Sequence, residues 1–582
     1  MRSRFLNSTA QLSWLSVSRL KRPSPWVCRG CQVQLSRFRG YSSQTPPVKP
    51  FYVTTPIFYV NAAPHVGHLY SMVVTDILKR FQQVKGRKAI MCTGTDEHGM
   101  KVQRAAEKAG IKPKDFCDKG AEIFKDLAAK ALIKNDHFVR TTDQEHKDAV
   151  EYSWLLLKEK GLIYKKKHEG WYSVTDEAFY PESAVQLYLD PATGRKYMTS
   201  IETGSEVEWS SEENYHFRLS AFRDPLLQFF KENPDWITPE HRMKEVVSDV
   251  SSSLSDLSIS RPYSRLSWGI RVPDDPTQTI YVWLDALINY LTKAGYPTWT
   301  PGTEAAGGWP ADFHVIGKDI VRFHCIYWPA FLMALDLPLP KHILTHGHWT
   351  LGGKKMSKST GTVVNPFQAL ERFGPDIMRF FLAHDGAVQD DAQYDNLRIL
   401  EVYNKFLRGA FGNLAARVIK SNKWSVRGAV ERVGGQIAEI CEEGPGSKFY
   451  KNHLLRITPQ VDAAFERGEF RRGVLDVSAF VHATNQFFQM SEPWKKTLYY
   501  EKGNPGLDVD RTIFLATEAL RMSAILLQPT MPNKCALLLD QLGVDESRRT
   551  IEYCRPGADL EYGIPKGDTE RVLFPIIEEL HR

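Results

Sequence analysis

Phe51-Tyr52-Val53-Thr54-Thr55 is a short apolar run halted at Pro56, and Ala89-Ile90-Met91-Cys92 is a second one. Between them the apolar positions Leu69, Met72, Val73, Ile77, Leu78 and Phe81 recur at helical spacing, and Gly86 stands where that helix should stop. A strand, a helix and a strand in this order leave the two strands parallel, because the helix carries the chain back to the edge where it began. The start of the chain is therefore a βαβ unit.

Two short segments sit on that frame. Pro64-His65-Val66-Gly67-His68 follows the first strand and opens the helix, where free backbone N–H groups and the helix dipole hold phosphates. Far along the chain, Lys355-Met356-Ser357-Lys358-Ser359 places two lysines and two hydroxyls in a loop bounded by Gly352-Gly353 and Gly361. Each alone has a plainer reading, a surface histidine pair or half of a metal site in the first case and a solvated turn in the second. A lysine loop of this kind can close on a triphosphate.

The βα rhythm breaks between about Gly161 and Pro276. There the turn-rich stretches Asp190-Pro191-Ala192-Thr193-Gly194 and Glu202-Thr203-Gly204 suggest hairpins. It resumes with Tyr281-Val282-Trp283, Phe313-His314-Val315-Ile316 and His342-Ile343-Leu344-Thr345, all read as strands. From about Asn396 the chain reads as mostly helical, punctuated by Pro529 and Pro532. No run approaches the roughly 18 apolar residues needed to cross a bilayer.

The net charge of +7 resembles a nucleic-acid signal until its location is considered. Residues 1–41 hold Arg2, Arg4, Arg19, Lys21, Arg22, Arg29, Arg37 and Arg39, while the first acidic residue is Asp76. Without those eight, the 75 basic residues fall to 67 against 68 acidic ones, so the body is nearly neutral. A cationic, Ser-rich, acid-free start with scattered Phe5, Leu6, Leu12, Trp14, Leu15 and Leu20 fits a mitochondrial import sequence, with maturation near Ser42 after Arg39-Gly40-Tyr41. A basic RNA-binding tail is the alternative. Eight cysteines in 582 residues make no disulfide framework, and the Cys28/Cys31 pair falls inside the leader.

Tyr59 and Asn61, the two histidines, the polar stretch Gly94 to Gly99 that reads as a turn after the second strand, Trp283-Leu284-Asp285-Ala286, Gly317-Lys318-Asp319-Ile320, Phe323-His324 and the lysine loop resemble, in this order, the methionyl-tRNA synthetases among the class I aminoacyl-tRNA synthetases. The resemblance implies an α/β fold, with a Rossmann-type parallel-sheet catalytic domain split by an insertion and followed by a mainly α-helical anticodon-binding bundle. The boundaries implied are a leader at 1–41, catalytic halves at 50–160 and 276–348, and a connective insertion at 161–275. The lysine loop and stem-contact region then occupies 349–395, and the bundle 396–582. With the leader, a mitochondrial matrix enzyme is expected.

By the same resemblance His65, Gly67, His68, Gly317, Asp319, Lys355, Met356, Ser357, Lys358 and Ser359 contact ATP. His65, His68, Lys355 and Lys358 carry the catalysis, with Mg²⁺ sharing the phosphate charge. Methionine would meet Asp96, with Tyr59 beside it, through its ammonium, and Ile57, Trp283, Ala286, Tyr290, Ile320, Phe323 and His324 through its side chain. Aromatic walls suit a thioether, by about 0.3 to 1.5 kcal/mol per contact. Asn413 and Arg417, one helical turn apart, and Trp494 at the end of a later helix look like anticodon readers.

The Cys-x-x-Cys of many relatives is replaced here by Ser173 and Asp176, so no structural zinc is expected, although Arg261 still matches. Nothing resembles the appended oligonucleotide-binding domain of some relatives, so a monomer binding its tRNA through local basic surface is expected. A synthetase for valine, isoleucine or leucine would share both signatures. It would need an editing domain, because a pocket separates side chains differing by one methylene by only about 1 to 3 kcal/mol, and the insertion is short for that. A non-catalytic RNA-binding protein on the same fold is the rival of a different class.

Overall fold

Among the described residues seven strands form one sheet in which every pairing is parallel. They are β1 (Phe51–Thr54), β2 (Phe58–Tyr59), β3 (Ala89–Asp96), β4 (His137–Arg140), β5 (Ile237–Thr238), β6 (Phe313–Gly317) and β7 (Ile343–His346). Their order is β5-β7-β6-β1-β3-β2, with β4 also paired to β3. The computed structural model describes residues 48–577 except 175–177, 192, 253, 300–302, 356–362, 387, 438–445, 498–505 and 567–570. The leader at 1–41, Asp176 and Met356, Ser357, Lys358 and Ser359 lie outside the described residues, as does the side chain of Lys355.

Helix α1 (Val66–Val84) makes the first crossover. Its apolar stripe, including Leu69, Met72, Val73, Ile77, Leu78 and Phe81, is buried on the sheet, and Gly86 turns the chain with φ +74°. The second strand is longer than its apolar run. β3 continues through Gly94, Thr95 and Asp96, residues that read as a turn, because β2 and β4 both pair with this end. Gly94 permits the approach: a Cβ there would lie 2.0 Å from the carbonyl oxygen of Val139 on β4.

Two further expectations are corrected by the pairing. Tyr281-Val282-Trp283 is not a strand. The strand is Asp275–Ile280, antiparallel within a separate three-stranded sheet, and Tyr281 caps helix α2 (Val282–Thr292). The interval 161–275 also contains β5, whose Ile237 and Thr238 pair with Ile343 and Leu344 of the central sheet. The rest of that interval is built on the long antiparallel pair of Ile163–Ser173 with Glu206–Phe217. Its hairpins turn at Gly194 (φ +70°) and Gly204 (φ +71°), as the turn-rich stretches suggest.

The C-terminal part is helical around α3 (Leu507–Leu527), which is buried continuously from Thr512 to Leu527. A helix covered on every side belongs at the centre of its bundle. Helix Phe470–Ser491 stops at Glu492 (φ +43°), and Pro493 opens a new short helix, Pro493–Lys496, so Trp494 begins an element instead of ending one. No helix among the described residues is long and apolar enough to cross a membrane.

Candidate active site

The carboxyl ends of the parallel strands lie along one edge of the sheet, and the residues singled out above follow those ends. His65 is the N-cap of α1. Its Nδ1 accepts from the Gly67 N–H at 3.1 Å, while its own N–H donates to His68 Nδ1 at 3.1 Å. This reciprocal cap places both Nδ1 atoms in acceptor roles, so in a neutral ring the proton sits on Nε2, which becomes a donor. The two rings stack at 3.8 Å, and Phe58 and Phe124 meet the His68 ring edge-on. A Cβ at residue 67 would come within 2.9 Å of the His65 ring. Glycine therefore lets the His65 ring fold over the helix end. No acidic residue stands in the first turn of α1, so the helix sets no carboxylate of its own against the positive end of its dipole.

Asp96 is buried at the end of β3 and pairs in register with Tyr59. The next residue, Glu97, is wholly buried and accepts two hydrogen bonds from Arg140 (2.6 and 2.9 Å), one from Thr95 (2.6 Å) and one from Thr142 (2.5 Å). A carboxylate with four charge-assisted or hydroxyl donors is fixed in direction, and it fixes the strand end that carries Asp96.

The apolar wall comes from α2 and from the segment after β6. Trp283 and Phe323 stack at 3.5 Å with 9° between planes. Ile57, Tyr59, Trp283, Ile320 and Phe323 are half-buried against one apolar cluster that includes Tyr290, and Ala286 is buried beside Asp285 on α2. His324 closes the far side. Its Nδ1 lies 2.9 Å from the Ile320 carbonyl and must donate to it, so Nε2 accepts from the Tyr290 hydroxyl at 2.7 Å. Burial lowers its pKa to about 4, which keeps the ring neutral for that role. His314, also held neutral by burial, joins Thr54 (2.7 Å) to Trp328 (3.2 Å) beneath this wall.

Gly317 ends β6, and a Cβ there would lie 2.6 Å from Asp319 Oδ1, an atom also 3.2 Å from His348 Nε2. At the end of β7, His346 donates from Nδ1 to the Gly347 carbonyl and accepts at Nε2 from Ser71 of α1 at 2.8 Å. Lys355 pairs with Thr350 in a hairpin that leads into the lysine loop. Among the described residues no group of three or more His, Cys, Asp or Glu is arranged to hold a metal. Near buried Ser173, the Arg261 guanidinium packs over Tyr281, Phe179 and Tyr172 at 4.6, 5.0 and 5.2 Å.

One cluster escaped the sequence reading. Asp285, 1% exposed, takes His98 Nδ1 at 2.7 Å on one oxygen and His146 Nε2 at 2.8 Å on the other. Burial alone would raise its pKa, but the two histidines outweigh that and hold it at about 2. The sequence points instead to its motif neighbours, Trp283 and Ala286, as wall residues. His146 carries no local signal at all.

In the bundle, Arg417 lies on helix Asn413–Ile419 with Asn413 exposed one turn away. Its guanidinium sits over Phe488 (5.0 Å) and Trp494 (5.1 Å) and donates to Gln489 at 3.0 Å. The three residues read as anticodon contacts are thus brought to one surface.

Residues 51–419 match the family described as tRNA synthetases class I (M). A probable mitochondrial methionine–tRNA ligase of Neurospora crassa is 53% identical over 571 residues, covering 94% of this chain and 90% of the relative. The mitochondrial methionine–tRNA ligase of Homo sapiens is 41% identical over 510 residues, with 86% and 85% covered. The structure of Mycobacterium tuberculosis methionyl-tRNA synthetase in complex with methionyl-adenylate superimposes with a TM-score of 0.83 at 36% identity, covering 91% of this chain and 100% of that one. The likeness extends from the catalytic sheet through the insertion into the helical bundle, and the chain belongs to the methionyl-tRNA synthetases of class I.

Proposed function

We propose that this chain, a methionine–tRNA ligase, joins methionine to ATP as methionyl-adenylate and transfers the methionyl group to the 3′-terminal adenosine of its tRNA, as a monomer in the mitochondrial matrix. The methionine carboxylate, already ionised at neutral pH, attacks the α-phosphorus of ATP taken as its Mg²⁺ complex. The bond to pyrophosphate breaks, so catalysis consists of alignment and of neutralising the charge that moves onto the leaving group. In this reading His65 and His68 donate from Nε2 to the phosphates at the end of α1, Lys355 and Lys358 meet the departing pyrophosphate, and Gly317 and Asp319 face the ribose. Asp96 opposes the ammonium, and the Trp283–Phe323 stack with Tyr290 and His324 lines the thioether.

The observation that carries the reading is the reciprocal His65–His68 cap on the sheet edge where Asp96 ends β3. It supplies a donor end for a polyanion beside a carboxylate for an ammonium. The test is amino-acid-dependent ATP–pyrophosphate exchange on protein starting near Ser42, comparing methionine with leucine, isoleucine and valine, with Lys358→Ala as control. Exchange with methionine alone, lost in the control, is expected. Exchange with another amino acid would reassign the pocket, and none with any of the four would favour an RNA-binding protein without catalysis.

A further inference from the structure

We propose that Asp285, with His98 and His146, is a positioning device that sets the distance between the ammonium-binding carboxylate Asp96 and the side-chain wall on α2. The inference rests on the reading above that Asp96 and Trp283 bind methionine. None of the three touches that substrate site as assigned.

The three side chains come from three separate elements. His98 follows the end of β3, two residues after Asp96; His146 lies on helix Gln144–Glu159; Asp285 is in the first turn of α2, two residues after Trp283 and next to Ala286. The His98–Asp285 hydrogen bond therefore joins the ammonium side of the pocket to its apolar side through residues only two positions from Asp96 and from Trp283. His146 holds α2 at a second point. Its Nδ1 lies 3.0 Å from the Thr292 hydroxyl, two turns beyond Asp285 on the same face, and that hydroxyl also reaches the Ile288 carbonyl at 3.1 Å. One ring thus fixes both the height and the rotation of α2.

Trp283 has no comparable anchor of its own. Its indole N–H is buried without a hydrogen-bond acceptor among the described residues, and its ring makes a stacking contact with Phe323. Stacked rings slide with little change in contact, so the lateral position of Trp283 is inherited from the backbone of α2. Burying a carboxylate is costly unless every oxygen is satisfied, whereas an apolar side chain would fill the space without that cost. Two short, directional hydrogen bonds fix distance and angle in a way that apolar packing does not.

The experiment is ATP–pyrophosphate exchange on the full chain with Asp285→Asn, which keeps the volume but offers one acceptor and one donor where two acceptors are used. The expected result is a rise in KM for methionine of about tenfold, with KM for ATP and kcat at saturation within about threefold of the parent. Discrimination against ethionine, one methylene longer, should fall as well. Thr292→Val and His146→Gln should move the same two quantities in the same direction, Thr292→Val by about twofold to threefold. They decide the matter by the same criteria if Asp285→Asn does not fold. An unchanged methionine KM with unchanged discrimination overturns the proposal, and so does a parallel loss for ATP and methionine, which would mark general disruption. Asp96→Asn is measured alongside. A parent-like methionine KM in that variant would sink the pocket reading itself, whereas loss there with a silent Asp285→Asn removes only the positioning role.

Discussion

Arg379 donates to Asp76 at 2.6 Å with neither side chain exposed to solvent. Arg379 also donates to the carbonyls of Pro529 (2.7 Å), Thr530 (3.0 Å) and Ala131 (3.2 Å). Asp76 lies on α1, the helix that begins with the two histidines, and Pro529 and Thr530 follow α3 at the centre of the bundle. One guanidinium therefore fastens α1 to the helical bundle.

Arg379→Met should lower the unfolding free energy by about 3 kcal/mol, because three carbonyls lose a donor and a buried carboxylate loses one of its cations. Arg80, 2.6 Å from Asp76, keeps the cost from being larger. Arg379→Lys should rescue little, since one ammonium cannot span the same set of acceptors. Urea unfolding of the three proteins checks both.

Gly94→Ala should disrupt the end of β3. The added carbon would sit 2.0 Å from the Val139 carbonyl oxygen, a backbone atom that cannot rotate away. The expected cost is about 3 kcal/mol, with methionine-dependent exchange lost because the strand end carries Asp96 and Glu97. A variant as stable and active as the parent would contradict the tight β3–β4 approach.

Acid should destabilise the protein partly through His324. Its folded pKa of about 4 lies below the ordinary 6.5, so as pH falls from 6.5 toward 4 the unfolded chain binds a proton that the folded one refuses, and stability drops. Between pH 7 and pH 5 this group should contribute a loss on the order of 2 kcal/mol, absent in His324→Gln. Asp285 acts in a lower window: its pKa of about 2 is depressed from 3.8, so its contribution is kept above pH 4 and lost only below. Urea titrations at pH 7 and pH 5 on parent and variant give the difference directly.

Trp494→Ala and Arg417→Ala should separate the two half-reactions. Stacking on an unpaired base is worth about 1 to 3 kcal/mol, so aminoacylation should lose roughly fivefold to a hundredfold in kcat/KM for tRNA. ATP–pyrophosphate exchange should stay near the parent, since these residues belong to the bundle. Equal losses in both assays would mean that the substitutions disturb the whole fold.

Much of the catalytic sheet was legible because its signals are local. Phe51–Thr54 and α1 show their periods within one window, and Gly86, Gly194 and Gly204 mark their turns by a φ that other residues avoid. The misread elements are those whose state is decided by partners. β5 is two residues long and is a strand only because Ile343 and Leu344 run beside it. Gly94 to Asp96 look like a turn by composition and are held extended from both sides. Tyr281 to Trp283 have strand-forming side chains, yet the hydrogen-bonding edge is used by Asp275–Ile280 and the next residues start a helix.

By itself, the sequence determined the βαβ start, the interruption, the helical C-terminal part and the residue types proposed to meet phosphate and methionine, since each is encoded within a few turns or strands of chain. Only the tertiary structure decided that His65 and His68 cap one another, that His98, His146 and Asp285 form one hydrogen-bonded cluster, and that Arg379 reaches Asp76. These are contacts between side chains far apart in the chain, or between ring atoms whose roles depend on geometry. A buried charge or a ring proton is specified by what folding brings within about 3 Å of it, and no local pattern records that distance.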